Sequence, residues 1–122
     1  MLLLLAMGDV VFFEPRRTSV LVSPAGSKKK LANHSAMRVA YKFIFAPNSN
    51  FSAKPEQMYG FIPQWGKIDV ELFRNKGRPA DETMRVQFAA APKGDDPKES
   101  FATGQPVGEY AGETVVRLVA IE

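Results

Sequence analysis

The sequence predicts an all-β domain, an antiparallel sandwich of short strands, and three observations carry that prediction. Runs of β-branched and aromatic residues recur with a period of two, the pattern of strands with one buried face. The 9 glycines and 9 prolines are spread along the chain, so turns are frequent and elements short. No segment keeps helical periodicity for three full turns, and no repeat of about 20 to 50 residues appears. A length of 122 residues suits a single domain, and 45% hydrophobic with 24% charged residues is an ordinary globular composition.

The elements follow in order. Residues 1–8 are expected to form a disordered or poorly packed leader, and residues 9–122 the domain. The apolar run from Leu2 to Met7 is far shorter than the roughly 20 residues that span a bilayer. Its leucines follow Met1 with no basic stretch between, unlike a secretory signal. Val10 to Glu14 opens the sandwich, Pro15 interrupts it and Thr18 to Val22 continues, as on an edge strand or a bend between two sheets. Pro15 and Pro55 are the prolines placed for a cis bond. Ser23 to Ser27 is a turn and Lys28 to Asn33 a short strand. After a turn at Asn33-His34-Ser35 comes the clearest strand, Met37 to Ala46. Met37, Val39, Tyr41, Phe43 and Phe45 fall on its core side, with Arg38, Ala40, Lys42, Ile44 and Ala46 opposite.

Phe51 to Lys54 is brief and stops at Pro55. Gly60 to Ile62 leads into a turn at Pro63 to Gly66, and Lys67 to Arg74 buries Ile68, Val70 and Leu72. Glu82 to Ala90 does the same with Met84, Val86 and Phe88, and Gly112 to Ile121 closes the fold. With the interrupted first strand counted once, about seven strands are expected. Ala91 to Ala111 is longer than an ordinary connection and has the composition for one helical turn near Asp96 to Phe101.

The inventory for catalysis is thin. There is no cysteine, which removes disulfides, thiolate metal sites and thiol nucleophiles and suits a reducing, cytoplasmic setting. His34 is the only histidine and reads as an exposed turn residue. The carboxylate pairs Asp95-Asp96 and Asp81-Glu82 lie in polar loops beside Lys or Arg, where solvated charge is the ordinary state. No phosphate-binding, dinucleotide or calcium motif occurs, so no cofactor is expected. Asn33-His34-Ser35 and Asn50-Phe51-Ser52 match the N-glycosylation sequon, which is common by chance. A net charge of +3 does not imply nucleic acid. The basic clusters are Arg16-Arg17 and Lys28-Lys29-Lys30, either a landing site for acidic segments or lipid headgroups or lysines that blunt a sheet edge.

Several motifs fall in a telling order: Leu31-Ala32-Asn33-His34-Ser35, Arg38-Val39-Ala40-Tyr41-Lys42-Phe43, Lys54-Pro55, Gly60-Phe61-Ile62-Pro63 and Arg85-Val86-Gln87-Phe88-Ala89. Together they resemble the major sperm protein domain family over nearly the whole chain. The resemblance implies a seven-stranded immunoglobulin-like (PapD-like) antiparallel β-sandwich without the immunoglobulin disulfide. It also implies a non-enzyme with protein partners, a second copy of the chain among them, and no integral membrane segment. Family members act in the nematode sperm cytoskeleton or read acidic two-phenylalanine peptide motifs. The readers carry Lys-Thr-Thr where this chain has Ile44, Phe45 and Ala46, and a Lys and a Met where it has Thr83 and Arg85, so a reader's pocket is altered here. No coiled coil or membrane anchor is expected after the last strand. The expected association surface combines Lys28, Lys29 and Lys30 with Ile44, Phe45, Ala46, Thr83 and Arg85, and small sperm-specific members with a motility role are the type it resembles.

Overall fold

The computed structural model describes residues 10–122 as two packed sheets. The expectation for residues 1–8 lies outside the described residues. Nine strand segments form: β1 (Val11–Glu14), β2 (Ser19–Val22), β3 (Ser27–Asn33), β4 (Val39–Ile44), β5 (Phe51–Ala53), β6 (Tyr59–Ile62), β7 (Lys67–Arg74), β8 (Glu82–Ala90) and β9 (Gly112–Ala120). One sheet has the order β1-β3-β7-β5 and the other β2-β9-β8-β4-β6. The strand count exceeds seven because β1 and β2 sit in different sheets and because Tyr59–Ile62, expected only to lead into a turn, pairs with β4 as a strand of its own. The chain crosses between them at Pro15, whose peptide bond with Glu14 is cis, while Pro55 opens a short 3-10 turn over Pro55–Gln57. β2 then runs parallel to β9, a departure from the antiparallel expectation that the crossover imposes.

Alternation puts the large apolar side chains between the sheets. Phe13, Leu31, Tyr41, Phe43, Phe51, Ile62, Leu72, Met84, Phe88 and Leu118 are buried there. Each such burial contributes roughly 1.5–3 kcal/mol against leaving the side chain in water. β4 is shorter than its alternation suggests. The Met37 carbonyl is taken by the side chains of Asn33 and Ser35, and the Ala46 carbonyl by the Ser49 amide, so neither end continues the ladder. The Tyr41 ring lies over its cross-strand partner Gly60, where a β-carbon would stand 2.7 Å from the ring.

Asn33 ends the third strand as expected, but its side chain does more than open a turn. It is the fully buried last residue of β3, and its amide nitrogen donates to the carbonyls of Met37, Ile62 and Pro63 at 2.9–3.1 Å. Its oxygen accepts from the Ser35 hydroxyl at 2.7 Å. Two connections are thereby fixed by one side chain, and the amide is closed to glycosylation. At this same end of the sandwich β3 finishes beside the start of β7, β4 starts beside the ends of β6 and β8, and β9 starts opposite Phe88. The long Ala91–Ala111 segment returns over the outer face of β4 and β6, with a 3-10 turn over Pro97–Phe101 that buries Phe101 against Tyr59. Arg38 holds it there, its guanidinium donating to the Ala91 and Gly94 carbonyls while lying 3.7 Å from the Phe61 ring centroid.

Candidate functional site

The opposite end of the five-stranded sheet carries a groove. β4 stops at Ile44, and the chain lifts through Phe45, Ala46 and Pro47 before a turn whose Asn48 has a φ of 56°. Beside it β8 places Thr83 and Arg85 on the same outer face, with Arg85 directly across from Ile44. Ile44, Phe45, Ala46, Pro47, Thr83 and Arg85 enclose an open groove of about 460 Å³.

Neighbouring groups fix its walls. Glu82 staples the turn, accepting from the Ser49 hydroxyl and from the Asn50 backbone N–H at 2.9 Å. Partial burial acts to raise its pKa, but the hydrogen bonds from Ser49 and Asn50 outweigh it and hold the carboxyl below the usual value. Arg85 donates to Glu113 at 3.0 Å, and Gln87 donates to the same carboxylate oxygen at 3.1 Å. The cation at the groove is therefore already partnered within the sheet. Phe45 turns inward at the groove floor, packed against the core with its ring edge-on to Phe43. What remains open is an apolar strip, Ile44 with Ala46 and Pro47, bordered by a neutralised guanidinium and the Thr83 hydroxyl.

The structure brings five of the eight expected site residues together and separates the rest. Lys28, Lys29 and Lys30 lie on β3 in the other sheet, so no single surface holds both groups. Strand alternation also divides the lysine run. Lys28 and Lys30 are exposed, whereas Lys29 is half-buried on the side of Leu31. Lys30 is ion-paired with Asp69, and Lys28 stands opposite Glu71 in the ladder. Lys67 with Glu14 at 2.8 Å and Lys54 with Glu71 at 3.3 Å extend the alternation of charge across that face. The triple lysine is thus a row in a self-neutralised surface. Pro47 lines the groove, and Glu113 and Glu82 stand behind its walls; the two carboxylates escaped sequence reasoning because only the folded pairing brings Glu113 to Arg85 and the turn at Ser49 to Glu82.

His34 is exposed in its turn, its ring edge-on to Phe12 at 4.8 Å. Among the described residues no group of three or more His, Cys, Asp or Glu side chains gathers in a way that could hold a metal ion. No helix among them is long and apolar enough to cross a membrane.

Comparison with known proteins agrees with this architecture. A Caenorhabditis elegans protein described as uncharacterized, ZK1307.4, is 32% identical over 117 residues, covering 95% of this chain and 100% of its own length. Sperm-specific class P protein 31 of the same organism is 29% identical over 112 residues, covering 91% of this chain and 99% of that protein. The solved structure of WR4, a C. elegans MSP family member, superposes with a TM-score of 0.73 at 25% identity, covering 92% of this chain and 98% of that one. The family model of the MSP (major sperm protein) domain matches residues 9–109, from the start of the sandwich to the end of the long loop. With its two-sheet fold and that match over most of its length, the chain belongs to the major sperm protein domain family.

Proposed function

We propose that the chain is a non-enzymatic protein of nematode sperm that works by protein–protein association, as a structural or assembly-regulating component of the cytoplasmic motility machinery. Family membership and the sperm-specific class P relative support the setting. The single observation that carries the mode of action is the groove at Ile44, Ala46, Pro47, Thr83 and Arg85. An apolar strip bordered by a polar rim is the anatomy of a protein contact, where buried apolar area supplies affinity and the rim supplies register. The readers' basic and hydroxyl-bearing Lys-Thr-Thr run is replaced by Ile-Phe-Ala, and Arg85 is already paired, so the groove favours an apolar side chain over an acidic tract.

Sedimentation velocity from micromolar to near-millimolar concentration tests this reading. A dimer or growing oligomers are expected, weakened by Ile44→Asp and by Arg85→Glu and left unchanged by Lys30→Glu. A monomer at every concentration would refute self-association. A monomer that binds a partner segment one-to-one, with loss on Ile44→Asp, would keep the groove and make the protein a binding module.

A further inference from the structure

Arg16-Arg17 is a basic pair that the groove leaves unused, and the residues after it give it a chemistry. In Arg16-Arg17-Thr18-Ser19-Val20 the arginines stand three and two residues before a serine, and an apolar residue follows it. No other Ser or Thr in the chain has a basic residue at both places. Two guanidinium forks at that spacing match a cleft lined with carboxylates, each fork making paired, charge-assisted hydrogen bonds. Serine kinases with acidic substrate clefts choose the hydroxyl they modify in this way.

The fold presents the segment. Pro15 to Thr18 form the exposed crossing from one sheet to the other. Ser19 then opens β2, an edge strand whose one neighbour is β9. The Thr18 and Val22 carbonyls accept from the N–H groups of Arg117 and Ile121 at 2.9 Å, so by alternation the Ser19 amide and carbonyl turn away from β9. Burial alternates too, with Val20 and Val22 in the core and Ser19 and Leu21 half-buried on the outer face. Arg17, itself exposed, lies over the Phe12 ring at 4.1 Å, a contact that a carboxylate-lined cleft displaces. A kinase takes its substrate extended, so Ser19 and Val20 must lift from β9. A four-residue strand paired on one side is where such local opening costs least.

The partner for a phosphate is already in place. Ser19 stands opposite Arg117 in the parallel ladder. Arg117 is exposed on the outer face, its Nε donating to an Asp81 carboxylate oxygen at 2.9 Å and a second guanidinium nitrogen reaching the same oxygen. Both arms of the fork thus fall on one atom. A phosphate on Ser19 offers the fork two oxygens and more charge.

We propose that Ser19 is a phosphorylation site for a serine kinase with an acidic substrate cleft, and that Arg117 turns from Asp81 to hold the phosphate. The γ-phosphoryl group of ATP passes to the Ser19 Oγ. The new O–P bond forms as the bond from that phosphorus to the β-phosphate oxygen breaks, ADP leaves, and the hydroxyl proton goes to the base of the kinase. Neither Ser19 nor Arg117 lines the groove, so the site stands independently of the association proposed above.

Incubation of the full chain with cyclic-AMP-dependent protein kinase and MgATP, followed by mass spectrometry of the digested product, reads the site directly. One phosphate is expected on Ser19 and none in Ser19→Ala. Changing Arg16→Ala and Arg17→Ala together should lower kcat/KM for phosphorylation about tenfold or more. Unfolding would expose Ser19 and speed the transfer, so a slower rate does not arise from a damaged fold. In the phosphorylated chain, a phosphorus NMR titration should place the second ionisation below its ordinary value of about 6, because the Arg117 guanidinium favours the dianion, and Arg117→Gln should return it towards that value. No phosphate on the folded chain, phosphate on another residue, or a rate untouched by loss of the two arginines would overturn the site. Phosphate that enters only after unfolding in urea would do the same. Equal titrations for the natural chain and Arg117→Gln would overturn the part given to Arg117.

Discussion

Replacing Asn33 tests the claim that one buried amide ties together two connections of the fold. Its two N–H groups are shared among the carbonyls of Met37, Ile62 and Pro63, and its oxygen holds the Ser35 hydroxyl. Asn33→Ala removes a donor from each carbonyl, although the Met37 carbonyl keeps the Ser35 hydroxyl and the Pro63 carbonyl keeps the Gly66 N–H. Four hydrogen bonds go with the side chain, each contributing about 0.5–1.5 kcal/mol net, and the donors that remain favour the lower half of that range. The expected loss is therefore about 3 kcal/mol, a large share of the total stability of a domain this size. In urea, with a slope of about 1.5 kcal/mol per molar, the midpoint should fall by about 2 M with the slope unchanged. Asn33→Asp keeps the shape but turns both donors into a carboxylate facing carbonyl oxygens, so it should be at least as damaging as alanine. An Asn33→Asp protein within about 1 kcal/mol of the natural chain would refute the hydrogen-bond account.

Arg74 is buried without a carboxylate, its guanidinium donating to the carbonyls of Val22, Asn75 and Ile121 across the two sheets. Arg74→Met should cost about 2 kcal/mol in chemical denaturation, and Arg74→Lys should recover only part of it because one ammonium cannot serve three diverging acceptors. Gly60→Ala places a methyl group 2.7 Å from the Tyr41 ring, so its thermal midpoint should fall by several degrees, as overpacking costs about 1–3 kcal/mol. Burial pushes the Tyr41 hydroxyl up to about 12 while the unfolded chain keeps the ordinary value near 10. The unfolded state then loses its proton first, so Tyr41 contributes stability below pH 10 that is lost between about pH 10 and 12, at most about 3 kcal/mol in all, and Tyr41→Phe should flatten that limb. Glu82 acts in the opposite sense. Its lowered pKa gives stability present above the ordinary carboxylate value and lost as the pH falls below it, and Glu82→Gln should remove that part of the acid dependence in a pH titration of the urea midpoint.

Period-two alternation made the sheets legible because it reports which face is buried, a property each strand carries alone. The expected inward residues Val39, Tyr41 and Phe43 of β4, Val70 and Leu72 of β7, and Met84, Val86 and Phe88 of β8 are all buried, although Ala40 and Gln87 on the opposite side are buried as well. Partners are another matter. That β1 and β2 part company at Pro15 and that Lys30 meets Asp69 depend on which strands pair and in what register. The same holds for the groove. Ile44 and Arg85 could be named from alternation and motif position, but their direct opposition and the Glu113 carboxylate behind them arise from pairing across 28 residues or more. The role of the Asn33 side chain was hidden for a related reason: Asn followed by His and Ser is strong turn chemistry, and only burial beneath the turn after β6 converts the side chain from a turn-former into a tie.

The two outer faces of the sandwich differ in what a partner would have to displace. On the four-stranded sheet, rows of Glu14 with Lys30 and Asp69, and of Lys28 with Glu71, leave charge balanced residue by residue. A second protein landing there exchanges one set of exposed ion pairs for another, and each is worth little, about 0–1 kcal/mol. On the five-stranded sheet the row through Arg85 runs from Val115, 56% exposed, to Ile44, so apolar surface flanks a guanidinium that Glu113 has already neutralised. Covering that row removes apolar area from water without breaking an ion pair. In the proposed association, free energy would therefore come from the row, and charge on the opposite sheet would keep that sheet from competing for the same partner.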